Sequence, residues 1–281
     1  MKLSLAYLGP TGTNSETAAL AYAGWLSATW QTTASLIAYP SIAVAMQSVI
    51  EGKTARAVVP IENSIEGSVT VVLDALWQAE RLHVQHELTI PIAHGLLSYA
   101  PSIEEIKTVY SHPQGLAQCQ TWLARHLPQA QLVTTKSTTD GIKYLPDDLT
   151  AAAVSAPRAA ELYRVPLLRS DIKDRPDNCT RFWIVSSEAS NCGSHLSLAF
   201  SLPRNAPGAL VRALEIFAQR QINLSKIESR PSKRSLGEYI FFIDLEGNSA
   251  DEKIKAALQE LSDCTEVLKI FGNYNLLPIS G

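Results

Sequence analysis

The segment DNCTRFWIV (177–185) sets a hydroxyl, Thr180, and a guanidinium, Arg181, at the start of an apolar run. The run reads as a strand in which Thr180, Phe182 and Ile184 share one face and Arg181, Trp183 and Val185 the other. The two polar side chains therefore do not converge on one atom. No conventional nucleophile and base stand beside Thr180, and an equal reading is of Thr180 as a good β-former with Arg181 in a salt bridge at the strand end. Arg181 is either a bidentate carboxylate anchor or a brace for the strand, with alternation favouring the brace.

Three other segments place polar side chains where a strand gives way to a turn or helix. In GPTGTN (9–14) the free amides of a helix opening at Thr13 form either a site for a carboxylate or other anion at Thr11, Gly12 and Thr13 or simply a glycine-containing turn that caps the helix. The pattern is not GxGxxG and no Walker lysine follows, so a dinucleotide or nucleotide loop is not indicated. In VVPIENSIEGSV (58–69) a strand runs into Glu62, Asn63, Ser64, Glu66 and Gly67. That is the carboxyl end of a strand, where α/β sheets place ligands. In YSHPQGLAQC (110–119) Ser111, His112 and Gln114 cluster at a helix start, with Gln118 one turn on along the same face. Metal sites find no support: His83 and His86 lie on opposite faces of a strand, and Cys119, Cys179, Cys192 and Cys264 form no CxxC pair.

The elements that must position these groups follow from periodicity. Residues 3–61 alternate strand and helix patterns: a strand at 3–9, a helix opened by a Thr13/Glu16 capping box, a strand at 34–39, a helix closed by Gly52, and a strand at 55–61. A second α/β cycle covers the extended stretch 83–98, a Ser102/Glu105 capping box, strand 108–111, helix 113–127, strand 130–135, a short helix at 138–145, strand 151–155, helix 156–163 and strand 180–186. The polar stretch SSEASNCGS (186–194) reads as a linker. Beyond it come strand 195–202, helix 208–220, strands 224–230 and 238–246, helix 250–262 and strand 266–272, a ferredoxin-like βαββαβ unit.

Composition agrees with a globular chain of about two domains: 281 residues, 46% apolar, 18% charged, net charge −3. No basic block advertises nucleic acid or membrane, so small molecules are the expected partners. The first apolar run is too short for a signal peptide, and four scattered cysteines form no disulfide framework, which points to a cytoplasmic protein. The glycosylation patterns at Asn178 and Asn223 are then chance or internal features.

GPTGTNSETA, VPIENSIEGSV, SHPQGLAQC and DNCTRFWIV occur in the order and near the spacing of prephenate dehydratases, and PGALVRALEIFAQRQINLSKIESRP (207–231) resembles the ACT regulatory domain fused to them. The chain departs from the common pattern at Asn14, where Phe is usual, and at Gly115, where Ala is usual. The resemblance implies a two-lobed, type II periplasmic-binding-protein-like catalytic domain (1–188) and an ACT domain (195–275). It implies decarboxylating dehydration of prephenate to phenylpyruvate in phenylalanine biosynthesis, a hydro-lyase reaction using no cofactor or metal.

The family's catalytic residues fall on Thr180, Asn63, Ser111 and Gln118, with Thr11, Gly12, Thr13, Glu62, Ser64, His112, Gln114 and Arg181 as substrate-binding candidates. Phenylalanine-binding elements fall on Asn205, Ala206, Gly208, Ala209 and Leu210 and on Glu228, Ser229, Arg230 and Pro231. They imply end-product inhibition by phenylalanine and a homodimer or homotetramer. An arogenate dehydratase and a non-catalytic amino-acid sensor remain alternatives.

Overall fold

A computed structural model describes residues 2–278. Strand β1 (Lys2–Leu8) leads through helix α1 (Asn14–Trp30) to β2 (Thr33–Tyr39), and α2 (Ile42–Ile50) leads to β3 (Arg56–Asn63). A two-residue strand β4 (Gly67–Ser68) folds back on β3 before α3 (Thr70–Gln78) and the long β5 (His83–Pro91). Thr13 caps α1 by accepting from the Glu16 amide at 3.4 Å, and Ser41 caps α2 through Val44 at 3.3 Å. Gly52 ends α2 at φ +69°, a conformation that glycine takes without a Cβ penalty.

The chain then crosses to a second lobe. Its elements are β6 (Gly95–Ser98), β7 (Thr108–Ser111), α4 (Pro113–Gln118), α5 (Gln120–His126), β8 (Gln131–Thr134), β9 (Ala151–Ser155), α6 (Pro157–Tyr163) and β10 (Leu167–Arg169). Its sheet has the order β10-β6-β9-β7-β8. The chain returns as β11 (Cys179–Ser186), giving the first lobe the order β2-β1-β3-β11-β5. The outgoing and returning crossings run side by side, the Ile92 amide bonding the Asn178 carbonyl at 2.8 Å and the Ile172 amide the His94 carbonyl at 2.9 Å. Two α/β lobes joined by two adjacent crossings form the expected binding-protein-like architecture.

The last part comprises β12 (His195–Ser201), α7 (Ala209–Gln219), β13 (Leu224–Pro231), β14 (Tyr239–Glu246), α8 (Glu252–Cys264) and β15 (Val267–Leu276), which is βαββαβ. One face of this sheet packs Leu196, Leu198, Phe200, Ile243 and Leu245 against α7 and α8. The other face carries Ala199, Ile240, Phe242, Phe271 and Tyr274 into one core with Trp183, Leu73, Leu76 and Val59 of the first lobe. β15 also pairs with β5 in parallel (Asn275 with His86, Leu276 with Glu87), so the two sheets are one continuous hydrogen-bonded surface. The linker is strapped to it: a Cβ at Gly193 would lie 2.4 Å from the Tyr274 backbone.

Several local expectations give way. The Ser102/Glu105 capping box does not form, since residues 103–105 make one 3-10 turn without a side-chain cap. The helix expected over 113–127 breaks at Cys119, whose φ of −120° lies outside the helical region, into α4 and α5. Residues 138–145 yield a 3-10 helix at Asp140–Tyr144, and the short strands β4 and β10 carry no pattern long enough to read.

Candidate active site

A cleft of about 700 Å³ opens between the lobes, lined by Thr13, Asn14, Asn63, Thr180 and Phe182 from the first lobe and His112, Gln114, Gln118, Lys136, Ser137 and Asp140 from the second. Asn63, Gln118 and Thr180 are each less than 9% exposed and lie at its base.

The geometry begins with Asn63, which ends β3 directly opposite Thr180 on β11. Its Oδ1 accepts from the amides of Ile65 and Glu66 at 3.0 and 3.1 Å, which fixes the orientation of the side-chain amide. Its Nδ2 therefore points the other way, 3.0 Å from Thr180 Oγ1, 2.9 Å from Asn178 Oδ1 and 3.1 Å from the Cys179 carbonyl. Thr180 is an acceptor in that contact, so its own proton is free for a group in the cleft. The polar chain continues from Asn178 Nδ2 to Gln118 Oε1 at 3.0 Å, which also receives His94 Nε2 at 2.8 Å. With its oxygen engaged twice, Gln118 has its amide nitrogen left to donate. Burial holds the His94 pKa below its ordinary value, so the ring is neutral and Nε2 carries the proton.

Lys136 is the only lysine or arginine lining the cleft among the described residues, and Asp140 the only carboxylate. Asp140 is engaged by Lys143 at 2.7 Å, and that contact holds its carboxyl below the usual range. The cleft thus presents Lys136, the Gln118 amide and the Thr180 hydroxyl as donors. The lobes are tied by Arg158 Nε to Glu16 Oε2 at 3.1 Å and by the Tyr163 hydroxyl to the Thr11 carbonyl at 3.2 Å.

The sequence-derived residues separate clearly. Thr180, Asn63, Gln118, Thr13, His112 and Gln114 line the cleft. Ser64 supports it, its Oγ accepting from the Cys179 amide at 3.0 Å. Ser111 lies beneath it, fully buried and donating to the Val154 carbonyl at 2.7 Å; a Cβ at Gly115 would come within 2.6 Å of that hydroxyl. Thr11 and Gly12 do not form the expected anion site. Glu16, one turn into α1, turns back and takes the Gly12 amide at 2.8 Å, filling the place with the protein's own carboxylate.

Arg181 and Glu62 are likewise not in the cleft. Alternation turns both to the opposite face, where Arg181 binds Glu87 at 2.6 and 2.8 Å, Glu62 at 2.7 Å and Asp244 at 3.2 Å. Arg181 is a brace. Glu228 and Arg230 point back at the catalytic lobe, accepting from Ser68 at 2.9 Å and pairing with Asp74 at 3.1 Å, because β13 alternates. Asn205 donates to the Gly237 carbonyl at 3.0 Å, and Gly208 takes φ +77° as the N-cap of α7, whose first residues are Ala209 and Leu210. The 205–210 loop and the end of β13, Ser229–Pro231, lie at the same end of the sheet, where Ser201 pairs with Ile240 and Pro231 with Tyr239.

Among the groups that escaped the sequence reading are Asn178, just beneath the cleft, and His94 and Lys136, which line it. Asn178 is 1% exposed and internal, although it sits in a glycosylation pattern. His94 lies in the crossing, and Lys136 in a turn after β8. A readable signal existed for Asn178 alone, two residues before Thr180.

Comparison with known proteins gives the same answer. The prephenate dehydratase family matches residues 5–190 and the ACT domain family residues 197–263. The chain is 38% identical to the prephenate dehydratase of Lactococcus lactis subsp. lactis, over 97% of each chain. It is 38% identical to a bifunctional chorismate mutase/prephenate dehydratase of Aquifex aeolicus, over 97% of this chain and 74% of that one. The solved prephenate dehydratase of Arthrobacter aurescens in complex with L-Phe superposes with a TM-score of 0.86 at 34% identity, covering 97% of this chain and 90% of that one. The chain belongs to the prephenate dehydratase family, in the form that carries a C-terminal ACT domain.

Proposed function

We propose that the chain converts prephenate to phenylpyruvate, carbon dioxide and water, with Thr180 as the hydrogen-bond donor to the departing hydroxyl. The ring carboxylate leaves as carbon dioxide, its bonding pair enters the ring, the ring becomes aromatic and the C4–O bond breaks. Hydroxide leaves as water once it has taken a proton, which Thr180 delivers and solvent restores. Aromatisation supplies the driving force, so a hydroxyl suffices. The observation that carries this reading is the fixed Asn63 amide, which makes Thr180 an acceptor from one side and a donor toward the cleft. Lys136 and the Gln118 amide are suited to the two carboxylates.

Replacing Thr180 by Ala is expected to lower kcat by about 10²-fold or more, roughly 3 kcal/mol, as loss of a transition-state donor does. Replacement by Ser retains part of the rate. Near-normal turnover in Thr180→Ala overturns the reading.

Residues 1–188 form the catalytic unit and 195–275 the regulatory unit in this reading. Phenylalanine binds at the sheet end carrying Asn205–Leu210 and Ser229–Pro231, between two copies of the chain in a cytoplasmic homo-oligomer, and inhibits by favouring one conformation of the cleft. The support is the shared location of these segments and the L-Phe complex of the Arthrobacter aurescens relative. Calorimetry with phenylalanine and size-exclusion chromatography test it; absence of binding, or a monomer in its presence, overturns this part.

A further inference from the structure

β3 and β11 present two pairs of residues at adjacent register positions: Asn63 with Thr180 toward the cleft, and Glu62 with Arg181 toward the ACT domain. The ladder is irregular immediately beyond, where Phe182 pairs with Pro60 and Ile61 is passed over. Pro60 has no amide hydrogen to donate. Between β3 and β11, the step that bears the catalytic pair is therefore separated from the rest of the ladder by a bulge, although β5 and β4 pair with its two strands on their other edges. Side chains on the far face add a further tie.

That far face is an ion cluster shared by the two domains. Glu62 Oε2 receives both Arg181 Nη1 at 2.7 Å and Lys226 Nζ at 2.9 Å. Lys226 also donates to the Ser68 hydroxyl at 2.7 Å, and Ser68 donates to Glu228 at 2.9 Å. Ser68 is the β4 partner of Glu62, as Gly67 is of Asn63. Lys226 thus ties together both strands flanking the Asn63 turn, from outside the catalytic domain. Its side chain is 7% exposed, and Asp244, another ACT-domain member of the cluster, is 3% exposed.

We infer that Lys226 is a positioning residue for the catalytic pair, contributed by the ACT domain. It clamps Glu62 and Ser68 and so sets the backbone from which Asn63 reaches Thr180. Donor placement within about 0.5 Å is what a catalytic constellation requires; β5 holds the Thr180 side of the pair, while the Asn63 side rests on the bulged ladder and the two-residue β4, which Lys226 braces through Ser68. Lys226 does not line the cleft, so its loss acts on turnover more than on substrate binding. The inference rests on Thr180 and Asn63 as the donor pair.

The test is steady-state kinetics on the full chain with prephenate, using Lys226→Met, Lys226→Arg and Thr180→Ala. Lys226→Met is expected to lower kcat about tenfold with KM changed less than twofold, and Lys226→Arg to restore most of the loss. A folded Lys226→Met protein with parental kcat, alongside an inactive Thr180→Ala protein, overturns the positioning role and leaves the donor reading standing. An active Thr180→Ala protein overturns the donor reading, and the positioning role with it. Should Lys226→Met not fold, Ser68→Ala removes one anchor of Lys226 while its ion pair with Glu62 stays in place. It is expected to lower kcat two- to threefold at unchanged KM, and parental kcat there overturns the role equally.

Discussion

The side-chain nitrogen of Asn63 lies 3.0 Å from the hydroxyl oxygen of Thr180, with its polarity dictated by the backbone amides of Ile65 and Glu66. An amide that must accept at one end and donate at the other turns a plain threonine into an oriented proton donor.

Asn63→Asp keeps the acceptor for Ile65 and Glu66 and replaces the donor by a second acceptor. Thr180 then donates to the new carboxylate and its proton leaves the cleft. The expected result is a fall in kcat of about 10²- to 10³-fold, equivalent to roughly 3–4 kcal/mol, with a smaller change in KM. Initial rates of phenylpyruvate formation measure it, and a variant losing KM alone contradicts the orienting role.

Lys136→Met removes the cleft's lysine without a large change of volume. KM for prephenate is expected to rise about tenfold, roughly 1.4 kcal/mol, at nearly constant kcat. Added salt should raise the parent's KM and leave that of the variant almost unmoved, because the attraction it screens is gone.

How much of this was legible in the sequence follows from what each residue depends on. Period-2 alternation around Thr180 already separated it from Arg181, and Glu87 and Asp244 show why, since a guanidinium on that face meets three carboxylates supplied by β3, β5 and β14. The βαββαβ order was readable because each element is long and strongly patterned. Gly12 misled because a free helix N-terminus looks alike whether a ligand or the chain's own Glu16 fills it. His94 and Lys136 were invisible because a cleft between lobes gathers residues from crossings and turns, where no periodicity operates. Their roles come from tertiary placement alone.

Arg181→Ala leaves Glu87, 4% exposed, without its bidentate cation. Breaking a buried pair from one side costs about 3–5 kcal/mol, which the urea midpoint of unfolding should register. A carboxylate-anchoring role would instead appear as a raised KM in a protein of parental stability.

His86 sits against the Tyr22 hydroxyl at 3.2 Å and beside Trp25 and Trp30. Burial, and then the charge of Arg56, lower its pKa to about 4. The unfolded chain takes up this proton near pH 6.5 and the folded one does not, so the stabilisation is complete above pH 6.5 and is lost as pH falls toward 4. Discounted for partial solvent access, the loss is on the order of 2 kcal/mol. Thermal unfolding between pH 7 and 4 should show a shallower decline in His86→Gln than in the parent; identical slopes refute the assignment.

The pairing of β15 with β5 bears on how portable the regulatory half is. Its last strand completes the first lobe's sheet at His86 and Glu87, and the Leu277 amide adds a bond to the Glu87 carbonyl at 2.8 Å. Cutting the gene after residue 188 would bare that edge together with the apolar seam around Trp183 and Val59, the combination that invites strand-to-strand aggregation. Changing what the ACT domain does is therefore better sought by point substitution within it than by deletion. In this chain the C-terminal domain is also part of the chassis.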